Sequence, residues 1–354
     1  MAVVTIIGSG MMGTALAWPL RHNGHEVRLV GTPLDTEIIQ KIRQEGFHPN
    51  LQRQVPAGVR AYFVDELSSA LDGADLVVGG VSSFGVDWFS QALNTYLPPG
   101  MPVLSVTKGL EAEPDGTLTP FPVRLERDLT DRLKGKVAFN AIGGPCTAHE
   151  LAARRQTSVV FCGKDLNLLK QLRAWFTAPY YHVHLSTDVT GVEVCAALKN
   201  AYALGVSLAV GMMEADGPDG LALSYNPQAA LFAQGCLEMT RFLRVTGGSP
   251  DLVSWLPGAG DLYVTIFGGR TVKLGKLLGQ GVPFSRAREM LAGVTLESVA
   301  ITARIAQALP KLEARGLLRC ADFPLLQHLD GIIHGEAPVY IPWENFGEKH
   351  VEEK

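Results

Sequence analysis

A single lysine interrupts the most apolar stretch of the chain. Between Val194 and Gly211 the only charged residue is Lys199, and apolar side chains fall on every turn of the helix that such a run implies. An ammonium in a dry interior has its pKa pulled down by desolvation, which makes it a proton donor or acceptor near neutral pH. The competing reading is a lysine paired with a carboxylate such as Glu193, or one snorkelling to the surface. Three further clusters carry chemistry. Gly8-Ser-Gly10-Met11-Met12-Gly13 follows the β-branched run Val3 to Ile7 and opens into Thr14-Ala-Leu-Ala-Trp. In a strand–turn–helix of this kind Gly8 makes the turn, Gly10 admits a pyrophosphate and Gly13 lets the helix pack close, so a dinucleotide is expected. Lys108, in Thr107-Lys108-Gly109, is a candidate anion or substrate contact beside the plainer reading of a solvated loop lysine. Pro257-Gly-Ala-Gly260-Asp261-Leu262 puts a carboxylate on a tight, backbone-exposed turn, and Arg270 follows nine residues later, suited to a bidentate grip on phosphate. Taken alone, that loop would read as a glycine-rich helix connection with a surface salt bridge.

These groups need elements to hold them. After the first glycine loop the pattern runs strand 26–30, strand 61–64, helix 67–71, strand 76–81, helix 86–97, strand 103–106, strand 137–141, strand 157–162, helix 166–176 and strand 181–185. Such alternation predicts a parallel, doubly wound α/β sheet of the Rossmann type, with ligands beyond the carboxyl ends of its strands. Ser82, Lys108 and the turn Ile142-Gly-Gly-Pro145 fall at such ends. The corner Gly31-Thr32-Pro33 carries neither the acid that holds an NAD ribose nor an arginine for an NADP phosphate, and the direction of Arg28 is open. Pro19 is expected to kink or end the first helix early. From Gly191 onward helical patterns dominate, at 228–243, 273–278, 285–291 and 298–309. The division expected is a dinucleotide-binding domain over 1–190 and an all-α domain over 191–354.

A chain of 354 residues is too long for one ordinary core. With 19% charged residues and a net charge of −4, it offers no general affinity for nucleic acid or anionic membrane, so an anionic ligand must be held by a few local groups. The apolar run is about the minimum length for a membrane span, but its lysine would be costly in lipid and no second span accompanies it. Five scattered cysteines read as free thiols of a reducing compartment, and the absence of a basic, signal-like start makes the cytoplasm the expected location. No zinc-type cysteine pair occurs, and His182-x-His184 supplies too few ligands for a metal site.

In this order the motifs resemble those of the NAD(P)-dependent glycerol-3-phosphate dehydrogenase family over nearly the full chain. The matching segments are Gly8 through Ala17, Thr107-Lys108-Gly109, Gly144-Pro-Cys-Thr-Ala148-His-Glu150, Glu193 through Asn200, Gly258-Ala-Gly-Asp261-Leu and Gly268-Gly-Arg270. The resemblance implies Lys199 as the acid/base, with Lys108 and Asp261 completing the catalytic group. It implies Asn200, Thr265, Arg270 and Thr271 around the substrate. It implies cofactor contacts from Gly8, Gly10, Met11, Met12, Gly13, Thr32, Ser82, Lys108, Ala148, Arg270 and Glu297, with NAD or NADP as the cofactor and a homodimer as the assembly. The expected reaction is reduction of dihydroxyacetone phosphate to sn-glycerol 3-phosphate, feeding glycerophospholipid synthesis. Three departures bear on the substrate: Thr271 where the family has Asn, Ser298 where it has Gly, and an altered stretch at 212–225. The rivals are a dehydrogenase of another polyol phosphate or a 3-hydroxy acid, and a nucleotide-binding sensor without catalysis, which intact Lys199 argues against.

Overall fold

Eight strands form one sheet in the computed structural model, which describes residues 1–215 and 225–347. They are β1 (Val3–Ile7), β2 (Glu26–Val30), β3 (Val59–Tyr62), β4 (Leu76–Gly79), β5 (Val103–Ser105), β6 (Phe139–Gly143), β7 (Thr157–Gly163) and β8 (Tyr181–Ser186). Their order is β8-β7-β6-β5-β4-β1-β2-β3. The chain therefore reverses direction across the sheet between β1 and β4, the place where an open α/β sheet leaves a crevice. Register puts the carboxyl ends level, with Ile7 beside Val30 and Gly79. The central strands are buried on both faces: Leu76 and Val78 join one apolar cluster with Leu16, Leu20 and Phe176, while Val77 joins the opposite one with Phe89 and Phe121.

One pairing departs from the parallel expectation, and it leaves both β7 and β8 running against the other six strands. β7 runs antiparallel to β6, with Ala141 opposite Cys162. A parallel return needs a crossover that carries the chain to the other end of the sheet. The link between β6 and β7 holds only the short helix Ala148–Ala152 and contacts the first helix, so the chain turns back at the same edge. Pro19 interrupts the first helix, as its missing N–H leads one to expect. The helical path breaks at Leu16, between Met11–Ala15 and Ala17–His22, and Pro19 lies inside the second piece. The break falls one turn ahead of the proline, which has no N–H for that turn's carbonyls.

The chain divides into two units, residues 1–108 with 120–193 and residues 109–119 with 194–354. The segment 109–119 is a finding beyond the sequence pattern. Its strand Leu110–Ala112 pairs with Leu118–Pro120, and Arg304 Nη1, from the helix Glu297–Ala314, donates to Leu110 O at 3.2 Å. Arg315 Nη1 holds Asp115 Oδ2 at 2.9 Å. Among the described residues, the regular structure of the second unit is thus helical apart from this hairpin.

Its helices close on the long helix Val189–Ala215 through glycines. On the helix Arg270–Gly279, a Cβ at Gly275 would lie 2.4 Å from that of Ser207, and one at Gly279 would lie 2.2 Å from Leu208 O. Backbone therefore meets backbone, which fixes the start of the Arg270 helix relative to the lysine-bearing one. Glu238, wholly buried on Tyr225–Thr246, accepts from Leu325 N at 2.8 Å, Leu326 N at 3.1 Å and Gln234 Nε2 at 2.8 Å. It so satisfies the first donors of the helix Pro324–Gly335.

Candidate active site

In the first unit the expected residues gather at the carboxyl edge of the sheet. Gly8 leaves β1 with φ +107°, a conformation other residues rarely adopt, and its N–H donates to Val30 O at 2.8 Å. A Cβ on Gly8 would come within 2.7 Å of the Gly80 backbone, and one on Gly13 within 2.5 Å of Gly8 O. On Gly10 it would meet nothing closer than Gly80 O at 3.8 Å. Two glycines thus serve the chain's own packing, and the middle one leaves its outer side open. Met11 and Met12 open the first helix, where N–H groups lack intrahelical acceptors. Gly80, which presses against Gly8 and Gly13, belongs to this loop as much as they do. The dipeptide Gly79-Gly80 at a strand end was its only sequence signal.

Thr32 is half-buried, and its N–H and hydroxyl both donate to Asp35 Oδ2 at 2.9 Å. Arg28 does not serve this corner. Its Nη1 bonds to the carbonyls of Ala70 and Asp72, and its Nε to Glu26 Oε1 at 2.9 Å. Ser82 is exposed just beyond β4, and Ala148 starts the short helix after the left-handed Gly144. Lys108 is half-buried and donates to Gly144 O at 3.4 Å, which is not the posture of a solvated loop lysine. His182 and His184 both face solvent, and His182 Nε2 bonds Gln156 Oε1 at 2.7 Å.

Glu193 is wholly buried, and neither carboxylate oxygen has a hydrogen-bond partner. Burial pushes its pKa up to about 8 against the nearby Lys108 charge, which pulls it down. It is not the partner of Lys199, six residues on and therefore on another face of the helix.

In the second unit Lys199 Nζ pairs with Asp261 Oδ1. The lysine is 8% exposed and the aspartate 0%. Each charge compensates what burial of the other would cost, so removing one strands its partner. Asp261 sits otherwise than the glycines imply. Leu256–Gly260 form a wide π turn, with Gly260 N donating to Trp255 O at 3.1 Å, and Asp261 begins the helix Asp261–Thr265 beneath it. Gly258 has no room for a side chain, since a Cβ there would lie 2.4 Å from Val253 Cα. The turn is buried packing, and π turns of this kind recur at functional sites.

Thr265 Oγ1 donates to Asp261 O at 2.6 Å, and Asn200 is half-buried beside Lys199 in the chain. Arg270 opens its helix after Gly269 at φ +93° and is exposed, whereas Thr271 is buried. Glu297 is half-buried at the start of its helix. Ser298, the departure next to it, is wholly buried with no hydrogen-bond partner for its hydroxyl. Of the altered stretch, Met212–Ala215 complete the long helix and Tyr225 starts the next, while 216–224 lie outside the described residues. Sequence reasoning also passed over Asp35 and His48, which bond to the glycine loop at Ser9 N and Ser9 O.

Comparison with known proteins agrees across both units. Residues 3–169 match the N-terminal, and 188–342 the C-terminal, family description of NAD-dependent glycerol-3-phosphate dehydrogenase. An NADP(+)-dependent glycerol-3-phosphate dehydrogenase of Archaeoglobus fulgidus is 35% identical over 82% of this chain and 83% of its own. A glycerol-3-phosphate dehydrogenase [NAD(P)+] of Koribacter versatilis is 30% identical over 96% and 95%. The crystal structure of glycerol-3-phosphate dehydrogenase from Coxiella burnetii, 25% identical, covers 95% of this chain and 96% of its own with a TM-score of 0.78. By motif order, by matched length and by fold, the chain belongs to the NAD-dependent glycerol-3-phosphate dehydrogenase family.

Proposed function

We propose that the protein interconverts dihydroxyacetone phosphate and sn-glycerol 3-phosphate with NAD or NADP, as a cytoplasmic homodimer supplying glycerophospholipid synthesis. The observation that carries this reading is the buried Lys199–Asp261 pair in the unit that also presents the exposed Arg270. Reduction of a ketone requires a proton at its oxygen, and oxidation of the alcohol requires its removal. Lys199 performs both, donating from its ammonium and taking the proton back, while Asp261 orients the group. Lys108 stabilises charge developing on the substrate oxygen. Arg270 takes the phosphate bidentately, Asn200 and Thr271 add hydrogen bonds, and Thr265 lines the site.

The first unit fits a dinucleotide, because Gly10 leaves the room that a pyrophosphate needs. Gly8, Gly10, Met11, Met12, Gly13, Thr32, Ser82, Lys108 and Ala148 of this unit would hold it, and the family resemblance adds Arg270 and Glu297. A bound nicotinamide supplies the hydride. The cytoplasmic reading is supported by five free cysteines, and dimerisation by the family resemblance.

Arg270→Lys tests the substrate class. About a 10- to 100-fold rise in KM for dihydroxyacetone phosphate is expected from losing a bidentate, charge-assisted contact. Unchanged kinetics would point to a substrate that does not use the arginine, such as a 3-hydroxy acid bound elsewhere.

A further inference from the structure

Ser9 sits between two glycines, in the loop that the proposed function gives to the cofactor's pyrophosphate. Flanked in this way, it would be free to take many conformations, each of which ligand binding would have to suppress. Its hydroxyl is buried without a hydrogen-bond partner, so it does not anchor the loop. The anchoring comes through the backbone, from both sides. Ser9 N donates to Asp35 Oδ2 at 3.2 Å, the oxygen that also takes both donors of Thr32. Ser9 O lies 2.8 Å from His48 Nε2. His48 is wholly buried, and its Nδ1 accepts from Leu51 N at 3.1 Å. That bond fixes the neutral tautomer with the proton on Nε2, so the ring donates to Ser9 O. Burial lowers the pKa of His48 and so favours this neutral form.

We propose that His48 and Asp35 are positioning residues that clamp Ser9 from opposite sides and hold the glycine loop in its cofactor-binding shape before the cofactor arrives. This inference rests on the first unit binding a nicotinamide dinucleotide. The clamp acts on affinity for the cofactor and not on proton transfer, which belongs to residues of the other unit.

The test is direct titration of NADH and NADPH, by quenching of protein fluorescence, into the full chain and into His48→Ala, Asp35→Ala and His48→Gln, with steady-state kinetics alongside. His48→Ala loses one anchor of the loop and should weaken binding about tenfold, while Asp35→Ala also releases both donors of Thr32 and should weaken it at least as much, with kcat and the KM for dihydroxyacetone phosphate unchanged in both. Glutamine can donate to Ser9 O and accept from Leu51 N, so His48→Gln should restore most of the affinity. Parent-like affinity in the alanine variants overturns the clamp. So does a loss that glutamine fails to restore, or one that lowers kcat in proportion. A parent protein that binds neither nucleotide would instead defeat the reading on which the inference rests.

Discussion

Replacing Glu193 by glutamine should change how stability depends on pH, and the structure sets the size and sign of the change. The carboxyl is wholly buried with no hydrogen-bond partner, and burial holds it neutral up to about pH 8 against an ordinary 4.5. The charges acting on it are few: Lys108 favours ionisation, and its neighbour Cys162 is itself pushed up by burial and by Glu193. Between those two pH values the folded protein keeps a proton that the unfolded chain has released. Stability is therefore full below the unfolded value and falls as pH rises toward the folded one. At about 1.36 kcal/mol per unit, the loss over the whole window is roughly 5 kcal/mol. Glutamine matches the neutral acid in shape and does not titrate, so the variant escapes the loss. Urea unfolding of both proteins at pH 5.0 and pH 8.5 should show the variant gaining roughly 4 kcal/mol on the parent between the two. A gain under about 1 kcal/mol would mean that Glu193 ionises in the folded protein near its ordinary value, and the assignment of a dry, neutral carboxyl would be wrong.

Three further outcomes follow from contacts in the second unit. Asp261→Ala strands the buried Lys199 charge and should cost about 3–5 kcal/mol of stability; Lys199→Met in the same chain should recover much of that without restoring activity, as calorimetry and rate assays would show. Glu238→Ala leaves Leu325 N and Leu326 N without their acceptor, so a loss of about 1–3 kcal/mol in denaturant unfolding is expected, with kcat unchanged. Gly279→Ala would place a methyl 2.2 Å from Leu208 O, forcing two helices apart; at least about 1–3 kcal/mol should be lost, and a parent-like melting temperature would contradict the close packing.

What could be read in the sequence was what local pattern dictates. The run Val3–Ile7 and the glycines after it are neighbours in the chain, and a strand–turn–helix follows from their order alone. Lys199 stood out because one charge in an apolar helix needs a reason. Its partner could not be read from local pattern, because Asp261 lies 62 residues away and the nearer Glu193 was an equally good candidate on chemistry; only the family resemblance brought Asp261 to the lysine. Periodicity does not record which distant carboxylate a lysine meets. The same limit hid the clamp on Ser9, since His48 is 39 residues from it and sits in a hairpin with no motif. Strand direction was a different difficulty. β7 carries the same apolar pattern as a parallel strand would, and only the shortness of its preceding link, which reverses the chain at one edge, distinguishes the two. Asp261 shows a third kind: glycines that read as an exposed tight turn instead let a wide turn bury itself.

Lys199 is proposed to move the substrate's proton in a nicotinamide-dependent reduction. The measurement that tests it most directly is oxidation of NADH and of NADPH by the purified protein, with and without dihydroxyacetone phosphate, beside Lys199→Ala. Oxidation should require the ketone, and kcat should fall about 10²–10⁴-fold in the variant with nucleotide binding intact. Turnover by Lys199→Ala at the parent rate would contradict it.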